Sequence, residues 1–216
     1  MVGERYVPTK KELEEALIKR HSLSVQEKIA KGRVAIAGLG GLGSNIAMML
    51  ARLGVGELFL VDFDQVDLSN LNRQCYGVRH LGVKKTEALQ AQIKEVNPYV
   101  QIKTKTIRVT EENAVELFLE YPIVCEAFDQ AENKAMLVNT ILQHCPNIKI
   151  VSGSGMGGYG SSNEIGTKKV MNNFYICGDL VSGIEKNYGL MAPRVQLCAS
   201  HQANMILRLL LGIEEE

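Results

Sequence analysis

Three glycines at a fixed spacing mark the stretch of this 216-residue chain with the clearest chemical potential. Gly38, Gly40 and Gly43 lie between an apolar run at 34–37 and an amphipathic segment at 46–53, an order that predicts a strand, a tight turn and a helix. In a GxGxxG loop the first glycine turns the chain, the second lets backbone approach a phosphate, and the third lets the helix pack on the strand. Because helix N-termini attract anions, we predict a nucleotide phosphate here. The alternative is a glycine-rich turn that serves packing alone.

Acidic residues follow the next predicted strand, which covers 57–62. Asp62 ends that strand about 20 residues beyond the glycines, and Asp64 comes shortly after it. An acid at this place in a nucleotide-binding fold accepts hydrogen bonds from ribose hydroxyls. The strand before the glycines, the helix after them and these acids together strengthen the prediction of a nucleotide site.

Two cations and a further acid indicate which nucleotide chemistry to expect. A hydride-transfer enzyme has no need of Arg73, Lys85 and Asp129, whereas phosphoryl or nucleotidyl transfer needs cations to neutralise the phosphates. Asp129 follows a predicted strand and is therefore expected at the carboxyl edge of the sheet, where it could hold Mg²⁺. Each residue also has an ordinary interpretation: Arg73 as an ion-pair partner of Asp64 or Asp67, Lys85 as a solvated residue, and Asp129 as a helix N-cap. As an ordered set they favour triphosphate chemistry.

The order of the predicted elements indicates the fold class. Helices are predicted at 10–20, from Ser24, at 46–53, at 84–96, from Thr110, at 132–144 and at 193–211. In the second of these, Glu27 is expected to form a capping box with Ser24. Strands are predicted at 34–37, 57–62, 100–107, 123–128, 148–151, 168–171 and 174–177. We therefore predict an α/β fold, a Rossmann-like, doubly wound, mostly parallel sheet with helices on both faces, a C-terminal β segment and a buried final helix. Residues 1–216 are expected to form one domain, with 1–30 as a helical N-terminal extension.

A second glycine set at 155, 157 and 160 repeats the GxGxxG spacing. No amphipathic helix follows it, so we predict a bent strand pair or a substrate groove instead of a second phosphate loop.

Composition excludes several classes of protein and partner. Lys plus Arg and Asp plus Glu each total 24, so no net charge favours nucleic acid or an anionic membrane. The chain has no apolar run of membrane-spanning length and no signal-peptide pattern, so a cytoplasmic protein is expected. Its five cysteines form no CxxC pair, which favours reduced thiols and predicts no structural zinc.

Several motifs resemble the ThiF/MoeB/HesA family, the bacterial relatives of the ubiquitin-activating enzymes. They are the glycine loop at 38–43, Asp62 and Asp64, the segment Ser-Asn-Leu-Asn-Arg-Gln at 69–74, Gly-Val-Lys-Lys at 82–85, Ala-Pro-Arg at 192–194 and Ser-His-Gln-Ala at 200–203. The chain looks most similar to short ThiF-like adenylyltransferases of the thiamine pathway. That resemblance implies use of ATP–Mg to adenylate the C-terminal glycine of a small ubiquitin-like sulfur carrier protein, with release of pyrophosphate, by a homodimer.

The resemblance also implies residue roles. The nucleotide would be framed by Gly40, Gly41 and Gly43, and its ribose would be bound by Asp62. The phosphates would be contacted by Asn70, Arg73, Gln74 and Lys85, and Asp129 would be the magnesium and adenylation acid. Arg20 would reach the site of a neighbouring subunit.

The chain departs from the family pattern at three places. The two CxxC pairs of many members are missing, Glu126 stands where Asp is common, and the loop at 178–192 is short for a mobile cysteine-bearing segment.

Among the cysteines, Cys177 is expected to be the best-placed thiol for attack on an acyl-adenylate and Cys75 the second. Adenylation itself needs neither thiol.

Other functions remain open from the sequence. They are a tRNA threonylcarbamoyladenosine dehydratase-like enzyme, which the neutral charge disfavours, an NAD-dependent oxidoreductase, and a non-catalytic nucleotide-binding scaffold.

Overall fold

Seven strands form one sheet with the order β3-β2-β1-β4-β5-β7-β6. The structure is a computed structural model, and it describes residues 6–183 and 189–215. All neighbouring strands run parallel except β6 and β7, which pair antiparallel. The predicted α/β, mostly parallel sheet is therefore confirmed. Part of the loop expected at 178–192 lies outside the described residues.

The strands alternate with helices along most of the chain. The helices are α1 Lys10–His21, α2 Leu23–Ala30, α3 Gly41–Leu53, α4 Lys85–Val96, α5 Glu111–Phe118, α6 Ala131–His144 and α7 Ala192–Leu210. The strands are β1 Arg33–Ala37, β2 Glu57–Asp62, β3 Gln101–Thr106, β4 Ile123–Glu126, β5 Lys149–Gly153, β6 Gly166–Met171 and β7 Phe174–Gly178. Short 3₁₀ turns cover Leu68–Asn70, Val78–His80 and Ser162–Glu164.

Alternate residues of the central strands enter two separate hydrophobic cores. Val34 and Ile36 of β1 pack in the core that contains residues of α2, α3, α4 and α7. Ala35 and Ala37 face the other core, which contains residues of α5 and α6. Because successive side chains of a strand point to opposite faces, this division shows helices on both faces of the sheet, as predicted.

The glycine loop is shaped by close backbone contacts. Gly38 has a φ of +90°, and a Cβ there would lie 2.8 Å from the carbonyl oxygen of Ala127. A Cβ on Gly43 would overlap the carbonyl oxygen of Gly38. The predicted turning role of Gly38 and packing role of Gly43 are both confirmed.

The predicted capping box of the second helix is wrong. Helix α2 begins at Leu23, its N-cap is Ser22, and no side chain makes a cap hydrogen bond. Ser22 has a φ of 82° and already turns the chain between α1 and α2, so Ser24 lies inside the first helical turn. The N-terminal capping box belongs instead to α1, where Thr9 and Glu12 exchange hydrogen bonds.

Arg194 anchors the C-terminal part of the chain. Its guanidinium is 4% exposed, pairs with Asp179 and donates to the carbonyl of Ser161 at 2.7 Å. Burial alone would raise the pKa of Asp179, but hydrogen bonds from Ser182 and Val181 and the contact with Arg194 lower it to about 2. The first turn of α7 is thereby joined to the segments on either side of β6 and β7.

In the part of the chain that the structure describes, no helix is long and apolar enough to cross a membrane.

Replacing Gly43 by Ala tests the packing of the glycine loop. Because the added methyl group would overlap the Gly38 carbonyl, we expect the free energy of unfolding to fall by about 2–3 kcal/mol in urea titrations. Gly166→Ala is the matched control, since a Cβ there meets no atom within 4 Å and should change stability by less than about 0.5 kcal/mol. Equal stability of the two variants would contradict this account of the loop.

Candidate nucleotide-binding site

A cleft of about 990 Å³ opens at the carboxyl ends of the central strands. The strand order of the sheet reverses at this point, since β1 is flanked by β2 on one side and by β4 on the other. Ligands of open α/β sheets bind at such a switch point. Of the predicted site residues, the cleft is lined by Gly38, Gly40, Gly41, Asp62, Asp64, Asn70, Arg73, Gln74, Lys85 and Asp129.

The glycine loop leads directly into helix α3. Gly40 is the N-cap of α3, so the amides of the first turn have no partner within the helix and can bind an anion. The loop is held from behind by Tyr76, whose hydroxyl donates to the carbonyl of Leu39 at 2.9 Å. Burial, together with the charge of Asp62, raises the pKa of Tyr76, so the hydroxyl keeps the proton it donates.

Asp62 joins the glycine loop to the end of β2. Its carboxylate accepts the amide N–H of Leu39 at 2.6 Å and that of Asp64 at 2.8 Å.

Lys85 is 6% exposed, and its Nζ lies 2.8 Å from Asp64 Oδ2 and 3.9 Å from Asp62 Oδ2. The ordinary interpretation of Lys85 as a solvated residue is therefore wrong. It is a buried cation fixed at the floor of the cleft.

Arg73 lies beside the glycine loop without a carboxylate partner among the described residues. Its Nη1 donates to the carbonyl of Ser69 at 3.1 Å and to Asn72 Oδ1 at 2.8 Å. An ion pair with Asp64 or Asp67, the ordinary alternative, does not form. Its positive charge therefore remains available to a ligand.

Gln74 and Asn70 follow the same turn. The buried Oε1 of Gln74 has no hydrogen-bond partner in the described part of the chain. Asn70 Oδ1 accepts the amide N–H of Asp67 at 3.0 Å, which closes the 3₁₀ turn beside the cleft. A ligand in the cleft would give Gln74 the partner that it lacks.

Asp129 lies across the cleft from these groups and is exposed. It is not the N-cap of α6, because Gln130 occupies that position. No hydrogen bond or ion pair of its side chain occurs within the described residues. The ordinary capping interpretation is therefore wrong, and the carboxylate is available to a ligand.

Glu126 and Lys134 hold the turn that carries Asp129. Glu126 is fully buried and accepts the amide N–H of Phe128 at 2.6 Å, the hydroxyl of Ser152, and Lys134 Nζ at 3.2 Å from each oxygen. The sequence showed Glu126 only as a departure from the family pattern and gave no role to Lys134. The available signal in the sequence was the position of Glu126 in a predicted strand and of Lys134 in the predicted helix that follows it.

Arg20 does not reach the cleft of its own chain. It lies in the last turn of α1, and α1 packs beside the amino ends of the strands, where a smaller cavity is lined by Leu17, Arg33 and Glu57. This is the opposite end of the sheet from the glycine loop. A role for Arg20 therefore requires a second subunit.

The expectation that Cys177 is the best-placed thiol is wrong. Cys177 is fully buried, and desolvation raises its pKa to about 11. The side chain faces the core because alternate residues of β7 point inward. Cys75 is half-buried, its Sγ lies 3.0 Å from Asn45 Oδ1, and burial raises its pKa as well. Neither thiol is a ready nucleophile.

One further pair in the cleft was not singled out from the sequence. The guanidinium carbon of Arg108 lies 4.4 Å from the centre of the Phe63 ring, and both residues line the cleft. Arg108 follows β3 and Phe63 follows β2, so only the pairing of these strands brings them together.

Comparison with known proteins agrees with this geometry. The sequence model of the ThiF family matches residues 13–216. The adenylyltransferase and sulfurtransferase UBA4 of Lodderomyces elongisporus is 31% identical over 197 residues, which are 88% of this chain and 43% of that protein. The molybdopterin-synthase adenylyltransferase of Haemophilus influenzae is 34% identical over 140 residues, 64% of this chain and 56% of that protein.

Among solved structures, the chain resembles E. coli tRNA N6-threonylcarbamoyladenosine dehydratase, TcdA, in complex with ATP. The TM-score is 0.84 at 20% sequence identity, covering 96% of this chain and 98% of the other. This likeness shows a shared fold. The chain spans less than half of the UBA4 relative and just over half of the molybdopterin-synthase relative. From the match over residues 13–216 and the relatives in sequence, the chain belongs to the ThiF family.

Proposed function

We propose that this protein is an ATP-dependent adenylyltransferase that activates the C-terminal carboxylate of a small ubiquitin-like sulfur carrier protein. The observation that carries the proposal is the pairing, across one cleft, of an uncommitted cation beside the glycine loop with an uncommitted carboxylate. Arg73 supplies the first and Asp129 the second. A nicotinamide cofactor needs neither, whereas a triphosphate needs both.

Different residues of the cleft bind different parts of the nucleotide. Gly40 and Gly41 bring backbone amides of the α3 N-terminus to the phosphates. Arg73 and Lys85 add fixed positive charge, and Lys85 does so from a buried position next to Asp64. Asp62 accepts ribose hydroxyls while it also holds the loop through the amide of Leu39.

The residues also fit a magnesium ion. Mg²⁺ is usually held by one or two carboxylates together with substrate phosphates, and Asp129 is an exposed carboxylate in the cleft. Bound there, the ion would neutralise phosphate charge as pyrophosphate leaves. Within the described residues no three acidic, cysteine or histidine side chains form a metal cluster, so phosphate oxygens would complete the ligand set.

Adenylation in this cleft requires alignment and charge stabilisation. A carboxylate oxygen of the carrier attacks the α-phosphorus, the bond to the bridging oxygen of the β-phosphate breaks, and pyrophosphate leaves. The attacking carboxylate is already ionised at neutral pH, so no side chain has to remove a proton. Arg73 and Lys85 stabilise the charge that moves onto the leaving group. No thiol takes part, in keeping with the burial of Cys177.

The identity of the acceptor is the finer part of the proposal. The sequence resemblance points to a carrier of the thiamine pathway, and one relative is named for molybdopterin synthase. TcdA, which shares this fold, is a tRNA N6-threonylcarbamoyladenosine dehydratase, so adenylation of a carboxylate on tRNA is the second candidate. The equal numbers of acidic and basic residues favour a protein acceptor over that polyanion.

We propose that the enzyme acts as a homodimer in which Arg20 completes the partner's site. Helix α1 has no buried residue in the single chain, and Arg20 lies far from its own cleft. An exposed helix and a cation remote from its own site support a contact between subunits.

Pyrophosphate exchange tests the proposed activity. With a sulfur carrier protein of either pathway we expect labelled pyrophosphate to enter ATP, and we expect no exchange with the same carrier lacking its C-terminal glycine. Calorimetry should show binding of ATP in preference to NAD. Exchange driven by tRNA alone would favour the second candidate, and tight binding of NAD without ATP would contradict the proposal.

Asp129→Asn tests the role of the exposed acid. Because a neutral amide binds Mg²⁺ weakly, we expect the exchange rate to fall by about 100-fold or more, with the unfolding free energy changed by less than about 1 kcal/mol. Glu132→Gln is the matched control, since Glu132 is another exposed acid of the same cleft wall. A fully active Asp129→Asn enzyme would remove the metal assignment.

Mixing two inactive variants tests the trans role of Arg20. Arg20→Ala and Asp129→Asn should each lack exchange activity alone. After mixing with subunit exchange, each mixed dimer has one intact site, so we expect about a quarter of wild-type activity. Activity of Arg20→Ala by itself, or no recovery from a mixture shown to contain mixed dimers, would contradict the proposal.

A further inference from the structure

Leu180 has an unusual backbone conformation at the wall of the cleft. Its φ is +64°, and in the described part of the chain Ser22 is the only other non-glycine residue with a positive φ. Large side chains rarely adopt this conformation, because Cβ crowds the backbone. Leu180 lines the cleft and is 46% exposed. Such strain persists only where the surroundings impose it, and it is concentrated at functional sites.

Asp179 fixes the backbone on both sides of Leu180. Its own N–H donates to the carbonyl of Gly155 at 2.9 Å. Its carboxylate accepts the amide N–H groups of Val181 and Ser182, each at 2.8 Å. The residue before Leu180 and the two residues after it are therefore held by hydrogen bonds, which leaves Leu180 in the strained conformation between them.

Arg194 in turn fixes Asp179 from behind the cleft wall. Its guanidinium pairs with Asp179, donates to the carbonyl of Ser161 at 2.7 Å, and lies 3.6 Å from the carboxylate of Glu164. Arg194 is 4% exposed and is not one of the described residues that line the cleft. Any effect of Arg194 on a ligand must therefore pass through Asp179.

The sheet order indicates which reactant meets Leu180. The glycine loop follows β1, and Asp129 follows β4. β5 and β7 lie beyond β4, and the segments 154–157 and 180–183 that follow them line the cleft beyond Asp129. A triphosphate at the glycine loop and beside Asp129 leaves this end of the cleft open. The attacking carboxylate of the acceptor therefore approaches from the side of Leu180.

We propose that Arg194 is a positioning residue for adenylation. Through Asp179 it holds Leu180 in the conformation in which the leucine side chain contacts the acceptor next to its reacting carboxylate. The inference rests on the proposed function and deepens it, because it makes acceptor binding depend on an ion pair outside the cleft. Contact with an apolar side chain orients the acceptor without competing for the charged groups that bind ATP.

The test measures acceptor binding and nucleotide binding separately on the full-length protein. The KM for the sulfur carrier protein is taken from pyrophosphate exchange at saturating ATP. The Kd of ATP is measured by calorimetry, and stability is measured by urea titration.

Three variants and one control are compared. Arg194→Met leaves the acid of the pair without its cation, and Arg194→Met/Asp179→Ala removes both charges. Leu180→Gly removes the side chain at a positive φ that glycine adopts freely. Arg33→Met is the matched control, because Arg33 pairs with the buried Glu57 at the amino ends of the strands, far from the acceptor.

We expect both Arg194 variants and Leu180→Gly to raise the KM for the carrier by about 10-fold, with the Kd of ATP changed by less than about twofold. The double variant should unfold at a higher urea concentration than Arg194→Met, because no buried acid is left unpaired. Leu180→Gly should be about as stable as the wild type, since relief of strain offsets the flexibility that glycine adds to the unfolded chain. Arg33→Met should lose stability while its KM for the carrier stays within about twofold of the wild type.

Three results would overturn the inference while leaving the proposed function intact. They are a wild-type KM for the carrier in Leu180→Gly, a wild-type KM in the double variant, and equal weakening of ATP and carrier binding in the Arg194 variants. The double variant and Leu180→Gly decide the outcome even where Arg194→Met does not fold. Absence of exchange with the wild-type protein would contradict the proposed function itself, and would be seen before any variant is made.

Discussion

The buried carboxylate of Asp62 is the constraint on which the cleft depends. It accepts amide hydrogens from Leu39 and from Asp64, and Lys85 Nζ lies 3.9 Å away. A carboxylate that is only 7% exposed has to be satisfied by such partners, because an unpaired buried charge is strongly destabilising. One side chain therefore fixes the glycine loop after β1, the end of β2 and the start of α4 relative to one another.

The same arrangement recurs on the other side of β1. Glu126 ends β4 as Asp62 ends β2, accepts the amide of the residue two positions later, and faces a lysine from the following helix. Both walls of the cleft are thus set by a buried acid, a local amide and a lysine. Lys85 and Lys134 are already paired with acids, whereas Arg73 on one wall and Asp129 on the other have no ion-pair partner among the described residues.

This division explains how one fold serves several reactions. The structural likeness to TcdA at 20% identity concerns the arrangement of sheet and helices, which places any ligand at the carboxyl ends of the strands. What distinguishes one ligand from another is the small set of side chains left unpaired by the scaffold. In this chain the groups without an ion-pair partner among the described residues include a cation near the loop, Arg73, and an acid near α6, Asp129.

The sequence by itself determined the fold class, the glycine loop and the ends of the strands. Hydrophobic periodicity, glycine spacing and acids after apolar runs are local signals, and they located the ends of most elements to within a few residues. Tertiary structure alone decided that Arg73 has no acidic partner, that the Cys177 thiol faces the core, and that Arg108 covers Phe63. Those facts depend on strand order and on which face of an element is covered, and both arise from contacts between segments far apart in the chain, which spacing along the sequence does not encode.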